Sequence, residues 1–264
     1  MRQSLRSWIL AALGLLLVAA CGGSGGDSGS GGPGPGPAPG PGPGTSLTLS
    51  NVQTAADPHW GVRELSLPYR VAASGFLVVS ASWFQGTPAN NPTFNGTNLI
   101  LMAHAQTTIA RLRIVHGAMY YLPVTAGQSG SIRITYPADA RRASLSAVTV
   151  AGATSMVGVQ TALANVSPSP LGLDVRVVLT APAMVITLLS SSADIDSVVT
   201  GTAHFEDSNP TLPLDSFHDG RTYTGHAAVG TGTHTLGYAQ DPAHSPPPSP
   251  QRLYDAVMLA GIFR

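Results

Sequence analysis

The chain has 264 residues, a formal net charge of zero, and 10% charged against 43% hydrophobic residues. A neutral chain without a run of basic residues is a poor binder of nucleic acid, because phosphate neutralisation needs a basic patch. The single Cys excludes a disulfide scaffold and any zinc site built from several Cys ligands. The chain has no Lys and only two Glu, and the scarcity of these two helix formers argues against a helical protein.

The N-terminus has the pattern of a secretion signal. Two arginines precede an apolar run, residues 8–20, which is shorter than the about 20 residues needed to span a bilayer. The run ends in Val18-Ala19-Ala20-Cys21, which resembles the lipobox of bacterial lipoproteins. That resemblance implies removal of residues 1–20 and a membrane anchor through a lipid on Cys21. Gly22 favours the outer membrane, since an Asp at that position tends to retain a lipoprotein at the inner membrane.

A Gly/Pro-rich linker follows, with 12 Gly and 6 Pro in residues 22–44. It offers no sizeable apolar side chain to bury, so we expect a disordered stalk with a reach of roughly 50 Å. Ser24 lies in a G-x-S-x-G string and Ser28 in a Gly-Asp-Ser-Gly string, both of which resemble hydrolase motifs. Those motifs act only in a rigid turn or a buried loop, so neither serine is expected to be catalytic.

Residues 45–264 are predicted to form one β-sandwich domain. Apolar and polar side chains alternate, as in half-buried strands, in four segments: 77–83, 111–114, 131–136 and 171–180. Turn signals occur between strands at 95–96, 127–130, 168–170 and 230–232. This pattern predicts an all-β, antiparallel, jelly-roll-like sandwich. The segment 253–263 is apolar on both faces and fits a central closing strand or a buried helix; we favour the strand.

Part of the domain resembles a loose family of bacterial secreted β-sandwich domains. The resemblance covers about residues 75–160 and extends weakly to the C-terminal strand. It rests on Asn95-Gly96, Tyr120-Tyr121-Leu122-Pro123, Gly127, the alternating strand 131–136, and Ala147-Val148-Thr149-Val150-Ala151-Gly152. The resemblance implies a sandwich fold and supplies no catalytic residues.

Carboxylates are the first candidates for chemistry, because glycoside hydrolysis needs two placed carboxyl groups. The only Glu residues, Glu64 and Glu206, lie far apart in sequence. Two closer pairs remain, Glu206 with Asp207 and Asp215 with Asp219, although solvation of a loop is the simpler explanation of both. We expect no catalytic pair.

Histidines are concentrated in the C-terminal third. His226 and His234 are symmetric about Gly230, so a hairpin there would place them opposite each other, within reach of a metal shared with Asp215 or Asp219. The Gly/Thr-rich turn offers little rigid support for ligands, so no metal is expected.

No cofactor is expected, with one exception. Asp194 and Asp196 lie on one face of an extended segment and supply the oxygen ligands that a structural calcium ion takes.

Aromatic residues are the candidates for ligand binding. Trp83-Phe84 and Tyr120-Tyr121 are adjacent pairs whose members point to opposite faces of a strand, so one ring of each pair could stack on a sugar ring. Trp60 is a further candidate. Packing of these rings in the core is the simpler explanation.

The leading interpretation is a lipid-anchored, non-enzymatic protein of the cell envelope. Its sandwich would recognise a glycan or another protein, or simply coat the surface. The alternative is a polymer-degrading hydrolase that uses the Asp/His-rich segment 204–244.

Overall fold

Regular structure in the described part of the chain is entirely β-strand. The computed structural model describes residues 46–107, 114–136, 140–164, 172–191, 197–201, 206–208, 221–240 and 256–264. All strand pairs in these ranges are antiparallel, which confirms the predicted fold class. The folded part forms one compact unit, Thr45–Arg264. Within the described ranges, we find no helix that is long and apolar enough to cross a membrane.

The strands are numbered in chain order. They are β1 (Thr48–Trp60), β2 (Glu64–Arg70), β3 (Gly75–Phe84), β4 (Thr93–Phe94), β5 (Thr97–Asn98), β6 (Ile100–Gln106), β7 (Val115–Val124), β8 (Ser129–Thr135), β9 (Arg141–Ala151), β10 (Met156–Ala164), β11 (Gly172–Leu179), β12 (Ala183–Ser191), β13 (Ser197–Gly201), β14 (Glu206–Ser208), β15 (Arg221–Val229), β16 (Gly232–Gln240) and β17 (Ala256–Phe263).

These strands form four sheets in four layers. The N-terminal outer sheet has the order β2-β8-β4-β5, and the N-terminal inner sheet has the order β1-β9-β3-β7-β6. The C-terminal inner sheet is β10-β17-β12-β15-β14, and the C-terminal outer sheet is β11-β16-β13. Apolar cores fill the spaces between the two N-terminal sheets, between the two inner sheets, and between the two C-terminal sheets. The molecule is therefore two β-sandwiches packed face to face, whereas the sequence suggested one.

Strands of the inner sheets are buried on both faces, which explains the difference. Every residue of β12 and β17 is buried, and these strands show no polar alternation. In β3, Leu77 and Trp83 point into the N-terminal core, while Phe76 points into the core between the inner sheets. Alternation survives only in strands with a solvent face, such as β11, where Val175 is buried and Arg176 is exposed. In a two-layer sandwich each sheet is covered on one face and exposed on the other, which gives alternation. Each inner sheet here is covered on both faces, so its strands need no polar face.

The predicted elements are found where the chain is described. The alternating segments at 77–83, 131–136 and 171–180 correspond to β3, β8 and β11. The prediction that 77–83 is half-buried is wrong, because Ser80 and Ser82 on its second face are buried against the other inner sheet. The closing segment is a strand, β17, and lies between β10 and β12. The segment 111–114 lies outside the described residues except for its last residue. Asn95 and Gly96 have φ of 50° and 79° and join β4 to β5, as a two-residue hairpin with left-handed central residues requires.

The two sandwiches have the same topology. If β1, β3, β6, β7 and β9 are matched with β10, β12, β14, β15 and β17, the strand orders of the two inner sheets become identical. Matching β2, β4 and β8 with β11, β13 and β16 does the same for the outer sheets, and among the described strands only β5 has no counterpart. The folded unit is thus a structural repeat.

The interface between the two halves is itself symmetric, because a contact between two strands recurs with the matched strands of the opposite halves. A Cβ atom built on Gly117 of β7 would lie 2.9 Å from Val257 Cγ1 of β17, so β7 packs on β17. On the other side, Ser146 Oγ of β9 lies 3.3 Å from Thr224 Oγ1 of β15. Because β7 matches β15 and β9 matches β17, each contact is the counterpart of the other. Two identical subunits related by a two-fold axis make the same exchange.

Candidate functional site

A cleft opens between the two inner sheets, where β1 and β9 face β15. Its volume is about 230 Å³. Its apolar walls come from both sandwiches and include Leu49, Val52, Val78, Val148 and Ile186. Its described polar lining consists of Ser80, Ser146, Thr224 and His226. A largely apolar concavity with a few convergent polar groups is the usual form of a small-ligand site.

The opposite end of the same interface is filled. There β7 and β17 approach closely at Gly117 and Gly261, and a Cβ atom on Gly261 would lie 2.7 Å from Met102 Cε. Phe76 and Phe263 pack in this core with their ring centroids 5.8 Å apart. The two ends would be equivalent in a symmetric pair, so the cleft exists because bulky side chains fill only one of them.

A row of hydroxyl groups leads from the cleft into the interface. Beyond Ser146 and Thr224, Ser82 Oγ lies 2.6 Å from Thr222 Oγ1, and Ser144 Oγ donates to Ser82 Oγ at 3.3 Å. Ser190, which is paired with Thr222 in the ladder, has a fully buried hydroxyl without a protein partner. A buried hydroxyl in this position is usually satisfied by water. The cleft therefore ends against a polar seam.

His226 lies in the cleft, but His234 does not lie opposite it. In the strand ladders His226 is paired with Ile186 and Glu206 of the C-terminal inner sheet, whereas His234 is paired with Val177 of the C-terminal outer sheet. The turn at Gly230 carries the chain from one sheet to the other, so the predicted hairpin is wrong. The sequence of a short Gly-rich turn does not distinguish a hairpin within one sheet from a connection between two sheets.

The imidazole of His234 has a local partner. Its Nε2 donates to the carbonyl oxygen of Gly230 at 3.0 Å. Asp215 and Asp219, the other weak metal candidates, lie outside the described residues, as do His204, His218 and His244. Within the described part of the chain, no three His, Cys, Asp or Glu side chains are grouped as metal ligands.

The aromatic candidates are placed mainly in the cores. Trp83, Phe84 and Tyr120 are at most 2% exposed, so none of the three presents a ring to a ligand in solution. Tyr121 is half-buried and packs on Phe76 at a centroid distance of 5.8 Å. Trp60 ends β1, and its side chain lies outside the described structure.

Of the carboxylate candidates, Glu64 is the one whose side chain belongs to the described structure. Glu64 lies on the N-terminal outer sheet, with Oε1 4.0 Å from Arg133 Nη1. Glu206 and Asp207 form part of β14, and only their backbone is described. Asp194 and Asp196, the calcium candidates, lie outside the described residues, as do Cys21, Ser24 and Ser28.

A histidine pair that the sequence analysis missed lies in the N-terminal sandwich. His116 is fully buried, and its Nε2 donates to the carbonyl oxygen of Gly86 at 3.1 Å. With neutral His116, its Nδ1 then accepts a hydrogen bond from His104 Nε2 at 3.1 Å. The Trp83 ring is stacked on both imidazoles, and burial lowers the pKa of His104. His104 and His116 lie at nearly equal distances in sequence from residues 110–111. A hairpin predicted about that point would have placed the two histidines side by side on neighbouring strands.

Comparisons with protein-family models, curated proteins and solved structures found no match to this chain. The function is therefore inferred from the geometry of the cleft and from the N-terminal sequence.

Proposed function

We propose that this chain is a lipid-anchored protein of the cell envelope whose folded unit binds an amphipathic ligand in the cleft between its two sandwiches. The ligand would place an apolar group between the two inner sheets and a hydrogen-bonding group against the hydroxyls and His226. The observation that carries the proposal is the cleft itself: one end of a repeated interface is left open and apolar.

Chemistry of the lining favours binding over catalysis. The described lining combines hydroxyls with one imidazole, groups that hydrogen-bond a polar end of a ligand. The walls are mostly aliphatic, which suits a hydrocarbon or an apolar side chain better than a sugar ring. A glycan with an apolar substituent remains compatible with the lining.

The anchor is supported by the N-terminal sequence. Cys21 follows a short apolar run in a lipobox-like string, and two or more acyl chains anchor a protein stably. The Gly/Pro linker would then hold the cleft roughly 50 Å from the membrane. Gly22 favours the outer membrane.

Fractionation of cells tests the anchor. Wild type should sediment with outer-membrane fractions, and Cys21→Ala should appear in the soluble fraction. Unchanged membrane retention of Cys21→Ala would contradict lipidation.

Binding of a fluorescent apolar anion, 1-anilinonaphthalene-8-sulfonate, tests the cleft. We expect saturable one-site binding that is lost in Val148→Phe and reduced in Val52→Phe, because both substitutions fill the cleft. Val178→Phe is the matched control, since Val178 is 66% exposed on β11. Unchanged binding in both cleft variants would place recognition elsewhere. Cleavage of a polymer by wild type that is lost in His226→Ala would instead establish a hydrolase.

A further inference from the structure

Two open sheet edges lie one above the other on the side of the molecule opposite the cleft. In the described structure β6 is the last strand of the N-terminal inner sheet, and β10 is the last strand of the C-terminal inner sheet. The two strands are in contact across the inner interface. Among the described strands, none pairs with the remaining row of backbone N–H and C=O groups of either one, and such a row is a template for further pairing.

These two edges carry most of the exposed large apolar side chains. Among the described residues six large hydrophobic side chains are strongly exposed, and four of them lie on β6 and β10. They are Ile100 (48%), Leu101 (45%), Val157 (45%) and Leu163 (41%). Their concentration on two stacked edges favours an interaction surface, because exposed apolar side chains on a monomer are otherwise scattered singly.

Two of the usual protections of a sheet edge, charge and proline, are missing here. Neither β6 nor β10 contains a charged residue or a proline. The opposite edges of the same sheets are protected, because β1 contains Asp57 and Pro58, and β14 is a three-residue strand with Glu206 and Asp207. Charge, proline and short length are the features that prevent edge pairing.

We propose that a second copy of this chain covers the β6/β10 surface, forming a dimer in which both inner sheets continue from one copy into the other. A two-fold axis perpendicular to the layers pairs β6 with β6 and β10 with β10, both antiparallel, in a single step. A foreign extended segment would satisfy only one of the two stacked edges. Neither strand contains an Asp, Glu, Lys or Arg, so pairing β6 with β6 and β10 with β10 brings no like charges of these strands together.

The strands are regular where such pairing needs them to be. The register shifts of β6 and β10 fall near their starts, between Leu101 and Ala103 and between Met156 and Gly158. The remainder, 103–106 and 158–164, follows an uninterrupted ladder with its inner neighbour. A nine-residue strand such as β10 is about 30 Å long at about 3.3 Å per residue, which is enough for a stable ladder.

Sedimentation equilibrium of the non-lipidated chain, made with Cys21→Ser, tests the proposal. The starting protein should be a dimer, and Leu101→Lys and Leu163→Lys should each raise the dissociation constant about tenfold or more, because each buries an unpaired ammonium at the dimer interface. Val178→Lys is the control, since it alters a more exposed side chain away from this surface. A monomeric starting protein, or equal weakening by Val178→Lys, would overturn the dimer.

Cross-linking provides a second measurement that does not depend on destabilising the surface. In the Cys21→Ser background an introduced cysteine is the only thiol of the chain. One of Ala103→Cys, Ala105→Cys and Gln106→Cys should form an interchain disulfide rapidly, because residues near a two-fold axis meet their own copies within the about 7 Å that a disulfide allows. A disulfide at Val178→Cys that forms equally fast would contradict the proposed geometry.

Discussion

Ser82 Oγ and Thr222 Oγ1 lie 2.6 Å apart across the interface of the two sandwiches, although 140 residues separate them in sequence. Both side chains are buried, at 0% and 1% exposure, so neither hydroxyl can exchange its partner for bulk water. The contact joins β3 of one sandwich to β15 of the other. It therefore reports directly on whether the two halves are docked.

Removal of both hydroxyls of this pair should cost less than the sum of the two single removals. Ser82→Ala and Thr222→Val should each destabilise the fold by about 1–3 kcal/mol, because the remaining hydroxyl is left buried with fewer partners. The double variant should be less destabilised than the sum of the two single variants, as expected for residues in contact. Urea unfolding of the four proteins measures this coupling, and strictly additive losses would contradict it.

Glycine at position 117 is predicted to be required for close packing of the inner sheets. Gly117→Ala places a methyl group 2.9 Å from Val257 Cγ1, a stiff β-branched side chain, so we expect a loss of about 1–3 kcal/mol. Gly261→Ala should cost less, because its nearest neighbour is the flexible end of Met102. Gly158→Ala meets nothing within 4 Å and is the control in the same unfolding assay. A loss in Gly158→Ala as large as that in Gly117→Ala would contradict this explanation.

The side chains of β11 point alternately into the core and into solvent, which gives a test of the C-terminal sandwich. Val175 is 5% exposed, and Val175→Asp should destabilise strongly because it buries an unpaired carboxylate. Arg176 points to solvent, so Arg176→Asp should stay within about 0.5 kcal/mol of wild type. Thermal melting of both variants checks the assignment, and equal tolerance would show that the strand is turned the other way.

The histidine pair predicts how stability depends on pH. Burial lowers the pKa of His104, so the unfolded chain takes up this proton before the folded one does. The stability contributed by neutral His104 is therefore complete above the unfolded pKa of about 6.5 and is lost progressively as pH falls below it.

His104→Gln isolates this contribution. The amide can still donate to His116 Nδ1, but it does not titrate. Between pH 7.5 and pH 5.5 the variant should lose less unfolding free energy than wild type, as measured by urea midpoints. An identical loss in both proteins would assign the pH dependence to other groups.

Local sequence predicted individual strands well and their assembly poorly. The alternation of Val175 and Arg176, the Asn95-Gly96 turn and the apolar closing strand all depend on near neighbours in the chain, so each was visible in sequence. The cleft combines β1, β3 and β9 with β12 and β15, and no local pattern states which faces will meet. A turn such as that at Gly230 has the same composition whether it joins paired strands or crosses between sheets.

One trace of the repeat was present in the sequence. Ala147-Val148-Thr149-Val150-Ala151-Gly152 in and just after β9 and Ala256-Val257-Met258-Leu259-Ala260-Gly261 in β17 share four of six residues. These are matched strands of the two inner sheets, and Val148, Val150, Val257 and Leu259 all point into the core between them. This short similarity is the part of the repeat that the sequence retains between these two strands.

Covalent continuity between the two matched halves changes what a single substitution can do. In a dimer of identical subunits every substitution occurs twice, so both ends of a two-fold interface must accept it together. In one continuous chain, Met102 and Met119 fill one end without any matching change at the other, where Ser146, Thr224 and His226 line an opening. The same face can thus provide cohesion at one end and selectivity at the other, and each end can be altered without a penalty at its counterpart.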